Sequence, residues 1–422
     1  MAYNLAGRGA HGDVSGDMVH VFWLSGMSCD GCSVATIGAT NPSLEDLVLD
    51  RVPDLPLVAI HHPMLAEESG AELMASYAAA ANGTLGAPYI VVVEGSIPDD
   101  QSISTGYFSA MGAGADGPRG RSSGDQPTKV TDWIVALAPG AEACIAIGTC
   151  ATWGGMPAAA GNITGSMGLM DFVGAGFRSR RGIPVLNVPG CAPPGDNFTE
   201  TLTSVIQHLG GKRDLPAFDE LGRPAWLFGE TVHRHCSKAG YYEEGVFAEE
   251  PGDDQCLVEI GCWGPVVQCN IVERGAINHM GGCMLAGGAC IGCTMPGFPD
   301  KYSPFYKAPP GSAISGGVSR ITGGGIRRLR RMSMRSRNRE PIWDRSEDAA
   351  TGWGIAQGTQ SPVDKVNGFF YKKLQYRGSV NHAARNKKQP QPRSMDILRQ
   401  KGVDLDEHTD VLREHLITRE EL

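Results

Sequence analysis

The chain has no apolar run approaching the roughly eighteen residues of a membrane-spanning helix, so no transmembrane segment is expected. Its opening residues, MAYNLAGRGAHGDVSGDMVH, carry no basic start, apolar core or twin-arginine pair. No export signal is expected, and a cytoplasmic location, at most peripheral at a membrane, follows. Internal repeats are absent, and no nucleic-acid-binding module occurs. Aromatic residues are scarce, at 7% of 422 positions, whereas glycine is frequent, with 57. That balance suits a loop-rich α/β protein with tight turns at strand ends. Twelve cysteines are what the chain does have. Disulfides require an oxidising compartment, which the opening residues do not predict, so reduced thiols are the better reading.

The net charge of -9 conceals an asymmetry. Residues 311–400 hold 18 Lys/Arg against 6 Asp/Glu, while the first 310 residues hold 16 against 33. A basic run such as 326–339 can attract nucleic acid or anionic lipid. With no nucleic-acid module beside it, a solvated tail, or a face docked on an acidic subunit, is expected instead. The region 311–422 is read as a basic C-terminal extension.

Short Val/Ile/Leu-rich runs alternate with helical patterns up to about residue 210. Strands are expected at His20-VFWLSG, Pro56-LVAIHH, Tyr89-IVVVEG, Ala143-CIAIGT and Ile183-PVLNVPG. Helices are expected through 67–81, 130–139 and 197–210. Strands separated by helices pair in parallel with right-handed crossovers, and continuous apolar runs fit strands covered on both faces. This is the pattern of a flavodoxin-like, doubly wound α/β domain over 18–210. From 220 to 310 the periodicity fades and seven of the cysteines appear. That second region is expected to be organised by metal ligation, because apolar residues look too sparse for a hydrophobic core.

The cysteines fall into sets. Cys29, Cys32, Cys150 and Cys191 all follow predicted strands. In an open α/β sheet the carboxyl ends of the strands converge on one crevice, where ligands bind. Four thiolates there can hold a four-iron cluster, and four is the usual number. Gly31, Gly148 and Gly190 would let backbone amides approach the sulfurs. Asp30 is either a turn residue or a substitute ligand, since carboxylate is a competent though harder donor. Glu94, ending the third strand, opens on the same crevice as a supporting carboxylate, a proton-relay group or an ordinary strand-end residue.

A second set is His233, Cys236, Cys256 and Cys262, three thiolates and one imidazole. His233 stands at H-x-x-C spacing, whereas His235 adjoins Cys236 and is less free to share its cluster. A third set is Cys269, Cys283, Cys290 and Cys293, again four thiolates. Cys144 sits mid-strand and reads as a small buried hydrophobe. Zinc is the chemical rival for such donor sets. Zinc sites usually pair short knuckles, however, and the first set spans most of a domain.

Taken together, Trp23-LSGMSCDGCS, Val93-EGSIP, Gly148-TCATWGG, Val188-PGC, His233-RHC, Cys256-LVEIGCWGP and Cys290-IGCTMPGFPDKYSPFY make residues 18–306 resemble the small, electron-transfer subunit of [NiFe] hydrogenases. The wording around Cys29 is most similar to the cytoplasmic actinobacterial-type branch, associated with uptake of trace hydrogen in the presence of oxygen. The resemblance implies three 4Fe-4S clusters: the first set proximal, the third medial, the second distal. It implies a large partner that holds the Ni-Fe centre, because every CxxC of this chain is already used. Many relatives have Pro where this chain has Cys283, and carry three irons at the medial site. Oxygen-tolerant membrane-bound relatives add cysteines at positions that here are Gly31 and Gly155, so their special proximal cluster is not expected. A dimer of heterodimers, held partly by the basic extension, and an external acceptor, protein or quinone, are further expectations. The alternatives are a hydrogen-sensing regulatory subunit, a cluster subunit of an NADH:quinone oxidoreductase, and a zinc-stabilised interaction protein.

Overall fold

The structure is a computed structural model that describes residues 18–306 apart from 104, 113–116, 119–125, 175 and 220. The expectations for the opening residues and for the extension 311–422 therefore lie outside the described residues. The chain divides into two compact units after Pro216.

The first unit is a parallel sheet wrapped by helices. In chain order its elements are β1 (Met18–Ser25), α1 (Gly31–Ile37), α2 (Leu44–Val48), β2 (Leu57–His61), α3 (Gly70–Ala81), β3 (Tyr89–Glu94), β4 (Ala110–Met111), β5 (Thr128–Lys129), α4 (Val130–Leu137), β6 (Ala143–Ile147), α5 (Gly148–Trp153), α6 (Leu169–Val173), β7 (Leu186–Val188) and α7 (Gly195–Leu209). Five strands pair in parallel in the order β2-β1-β3-β6-β7, and β4 with β5 forms a small antiparallel ribbon. Every residue of β3 and of β6 is buried, as continuous apolar runs require in a sheet covered on both faces. Successive side chains point to opposite faces. Phe22 meets Tyr77 of α3 at 4.8 Å between ring centroids, and its neighbour Trp23 meets Phe198 of α7 at 5.1 Å. Burying each such ring stabilises the unit by about 1.5–3 kcal/mol.

Two strand ends differ from expectation. The fourth strand stops at Ile147, and Cys150 lies inside α5. Cys191 lies three residues beyond β7, which starts only at Leu186. Pro184 has no N–H for a ladder, and the Ile183 carbonyl is taken by the Ser179 N–H at 2.9 Å. Cys144 is in the core of β6, 1% exposed, as its mid-strand position implied.

The second unit has short helices, α8 (Ala225–Phe228), α9 (Val232–His235), α10 (Ala239–Glu244) and α11 (Ile271–Arg274), joined by turns. Its apolar residues are less sparse in space than along the chain. Val232, Leu257, Val267, Met284, Met295, Phe298 and Tyr302 form a buried cluster, with Cys262 and Cys290 as members. These apolar residues come from turns, where no period of 2 or 3.6 reveals a common face. Beneath them lies fully buried Arg223, held by a 2.7 Å salt bridge to Asp219 and a hydrogen bond to Gln268.

Candidate metal centres

The crevice of the first unit opens where the strand order reverses, between β1 and β3. The loop after β1 crosses the turn after β3 closely: the Gly26 N–H donates to the Glu94 carbonyl at 2.7 Å and the Met27 N–H to the Ser96 carbonyl at 2.8 Å. Gly95 makes this crossing possible, because with φ +82° a Cβ there would stand 2.7 Å from the Ser28 nitrogen. Asp30 follows in the left-handed region at φ 58°, which Asp tolerates better than most residues, and α1 starts at Gly31. The Asp30 side chain does not cap that helix; its backbone N–H donates to Ser28 Oγ at 2.9 Å.

Glu94 lies directly beneath this loop, 1% exposed. Its carboxylate accepts the N–H groups of Cys32 at 3.0 Å and Ser33 at 3.2 Å, the Trp23 indole N–H at 3.0 Å, and the Ser33 hydroxyl. Ser33 in turn meets His62 Nε2 at 2.8 Å. The backbone N–H groups of Met64 and Leu65 point at His62 Nδ1, at 3.0 and 3.2 Å. That nitrogen must be the acceptor, so the ring proton sits on Nε2 and is donated to Ser33. The chain therefore runs one way, His62 to Ser33 to Glu94, with every donor aimed at the carboxylate. Glu94 thus holds the Cys32 and Ser33 amides, and the same ordered chain of donors is also what a proton relay would use. Ser33 and His62 were not singled out from sequence; only the fold brings residue 62 beside residue 33.

The four thiols of the first set converge. Cys32, the most buried, interacts electrostatically with Cys29, Cys150 and Cys191, and Cys191 with Cys29. Burial, then the charge of Glu94 and of the other thiols, pushes Cys32 far up. Cys150 rises to about 11, chiefly through burial, with the Met156 N–H opposing. A thiol as buried as Cys32, with other thiols beside it, is a poor anion unless a cationic core compensates it. The Thr149 N–H donates to the Gly190 carbonyl at 2.9 Å and the Gly190 N–H to Thr149 Oγ1 at 3.1 Å, which ties the Cys150 and Cys191 loops together. Space is kept around the sulfurs. A Cβ on Gly148, at φ +83°, would collide with Cys32 Sγ, and one on Gly155 would stand 2.7 Å from Cys150 Sγ. Donor type, convergence and cleared space all fit a four-thiolate cluster.

In the second unit Cys236, Cys256 and Cys262 interact with one another, as do Cys269, Cys283, Cys290 and Cys293 in part. Burial raises Cys256 and Cys269 to about 12 each. Backbone N–H groups two residues on point back at five of these sulfurs: Lys238 at Cys236, Val258 at Cys256, Gly264 at Cys262, Ile271 at Cys269 and Gly292 at Cys290. Such amides are the usual partners of metal-bound thiolates. His233 shares a helical turn with Cys236, whose N–H donates to the His233 carbonyl at 3.2 Å, and its ring packs on Tyr242 at 4.7 Å. His235 is engaged elsewhere, 2.6 Å from Glu230, and that hydrogen bond raises its pKa. Arg223 adds a positive charge felt by Cys269. All twelve cysteines are free thiols. Among the described residues no three of His, Cys, Asp and Glu gather tightly enough to hold a single metal ion.

Residues 29–205 match the family model of the NADH ubiquinone oxidoreductase 20 Kd subunit, and residues 228–306 match that of the C-terminal region of the NiFe/NiFeSe hydrogenase small subunit. The chain is 33% identical over 293 residues to the periplasmic [NiFeSe] hydrogenase small subunit of Desulfomicrobium baculatum, covering 68% of this chain and 87% of that protein. With the hydrogenase-2 small chain of Escherichia coli it shares 30% identity over 329 residues, covering 72% and 78%. Among solved structures, an actinobacterial-type NiFe-hydrogenase from Ralstonia eutropha H16 superposes with a TM-score of 0.70 at 46% identity, covering 79% of this chain and 94% of that one.

Proposed function

The chain belongs to the small-subunit family of nickel–iron hydrogenases, and on that premise we propose that eleven of its cysteines and His233 hold three 4Fe-4S clusters. As a hydrogenase small subunit it transfers electrons, while hydrogen is cleaved on a large-subunit partner that carries the Ni-Fe site. Bound clusters supply reversible one-electron storage. The chain supplies position, burial and hydrogen bonds.

In this reading Cys29, Cys32, Cys150 and Cys191 form the proximal site, nearest the partner. Cys269, Cys283, Cys290 and Cys293 form the medial site. His233, Cys236, Cys256 and Cys262 form the distal site, from which an external protein or quinone is served. The observation that carries the reading is the convergence of four thiols, from the segments that follow β1, β6 and β7, on one crevice. Neutral His233 would raise the distal potential, and the fourth thiolate Cys283 would lower the medial one. The match of residues 228–306 supports a hydrogenase over a quinone-reductase subunit, because those residues hold the two further sets.

The proposed organisation is a flavodoxin-like domain over 18–210, a cluster domain over 220–310 and an extension over 311–422 that helps join two heterodimers. The test is co-purification with the large subunit, iron analysis and electron paramagnetic resonance of the reduced complex. About twelve irons per small subunit are expected, four per cluster. A far lower content, or stoichiometric zinc, would overturn the assignment. For the extension, truncation after residue 310 should halve the mass of the assembly; an unchanged mass would sink that part.

A further inference from the structure

Cys262 differs from the other thiols of the second unit in where its hydrogen bonds come from. Like its neighbours it accepts the amide two residues on, the Gly264 N–H at 3.4 Å. It also accepts the Cys290 N–H at 3.3 Å, from the loop that carries another set. Two further bonds hold this arrangement: the Trp263 N–H donates to the Cys290 carbonyl at 2.9 Å, and the His233 N–H to the Gly264 carbonyl at 3.1 Å. Cys262 is buried, with water kept away from both bonds. His233, Cys262, Gly264 and Cys290 thus form one hydrogen-bonded unit, and both amides converge on a single sulfur.

We infer that the amides of Gly264 and Cys290 tune the potential of the distal site through the Cys262 thiolate. This rests on the distal assignment proposed above. Each N–H stabilises the extra negative charge that a reduced cluster places on its sulfurs, and does so most strongly where water is excluded. Reduction is thereby made easier and the potential rises. The Cys290 amide also links a ligand residue of the medial set directly to a ligand sulfur of the distal set.

Gly264 allows a clean test. Its φ lies outside the left-handed region, and a Cβ there would meet Cys262 Sγ at 3.3 Å and Val232 Cγ1 at 3.4 Å, tight but tolerable contacts. Gly264→Ala adds that carbon and keeps the N–H; Gly264→Pro removes the N–H. Both variants are made in the complex with the large subunit and titrated by electron paramagnetic resonance at controlled potentials. The distal midpoint should fall in Gly264→Pro, stay near wild type in Gly264→Ala, and leave the proximal midpoint unmoved in both. Equal midpoints in the two variants would overturn the inference while leaving the distal assignment standing. Should Gly264→Pro not assemble, glycine-selective 15N labelling of the wild-type complex decides. Gly264 is the sole glycine amide found on a thiol of this set among the described residues. A 15N hyperfine coupling at the reduced distal cluster is expected, and its absence overturns the inference. If the distal signal is missing altogether and iron falls well below about twelve, the cluster assignment itself has failed.

Discussion

The Glu94 carboxylate accepts the backbone N–H of Cys32 at 3.0 Å, so a residue from the third strand fixes a thiol that follows the first. Three further donors surround the same carboxylate, from Trp23 and from the amide and hydroxyl of Ser33. Glu94→Gln keeps the shape but turns an N–H₂ toward groups that are themselves donors. The expected cost is about 1–3 kcal/mol, read as a lower unfolding midpoint with loss of proximal iron. Full iron with abolished hydrogen oxidation would speak for proton relay instead.

Gly148→Ala should empty the proximal site. The new Cβ would collide with Cys32 Sγ at a backbone angle already unfavourable for alanine. Iron should drop by about four per chain while the second unit keeps its clusters. An unchanged iron content would mean that the Cys32 sulfur has room to move.

Cys283→Ala should convert the medial site to a three-iron cluster. Cys283 is the exposed member of its set, and the other three thiols remain. The loss of about one iron per chain, a three-iron signal in the oxidised complex and a higher medial potential are expected. Four irons retained at the medial site would show that another residue or water completes it.

Two buried histidines give the first unit a pH dependence. His20 Nδ1 stands 2.8 Å from His61 Nε2, and His61 Nδ1 is 3.0 Å from Glu68, which is partly exposed. Burial pulls both rings from 6.5 down to about 4, with the His61 charge adding to the effect on His20. Each then gains its proton on unfolding across that window. Stability should therefore be full above about pH 6.5 and fall toward pH 4, by up to about 1.4 kcal/mol per pH unit per ring. In His20→Gln the slope should be shallower by one proton, measured as the unfolding midpoint against pH.

Much of the site could be read along the chain. The first set follows strands, and the parallel pattern of those strands dictates that their ends meet. Cys144 was separable from its fellows because a mid-strand position in a buried run faces the core, away from that edge. The choice of His233 over His235 rested on spacing, and the fold adds that His235 is hydrogen-bonded to Glu230. What escaped was non-local. Ser33 and His62 carry no motif, and the buried cluster of the second unit has no period, because its members come from successive turns.

Sequence alone determined the donor inventory and the strand pattern, since both depend on residue type and short spacing. Tertiary structure decided which groups face each donor: the carboxylate under Cys32, the space beside Gly148, the second amide on Cys262. Those contacts join residues far apart in sequence, 62 positions for Cys32 and Glu94 and more for Gly148 and Cys32, and local propensity does not encode them. They arise when the chain closes its sheet and turns and each buried polar group must find a partner.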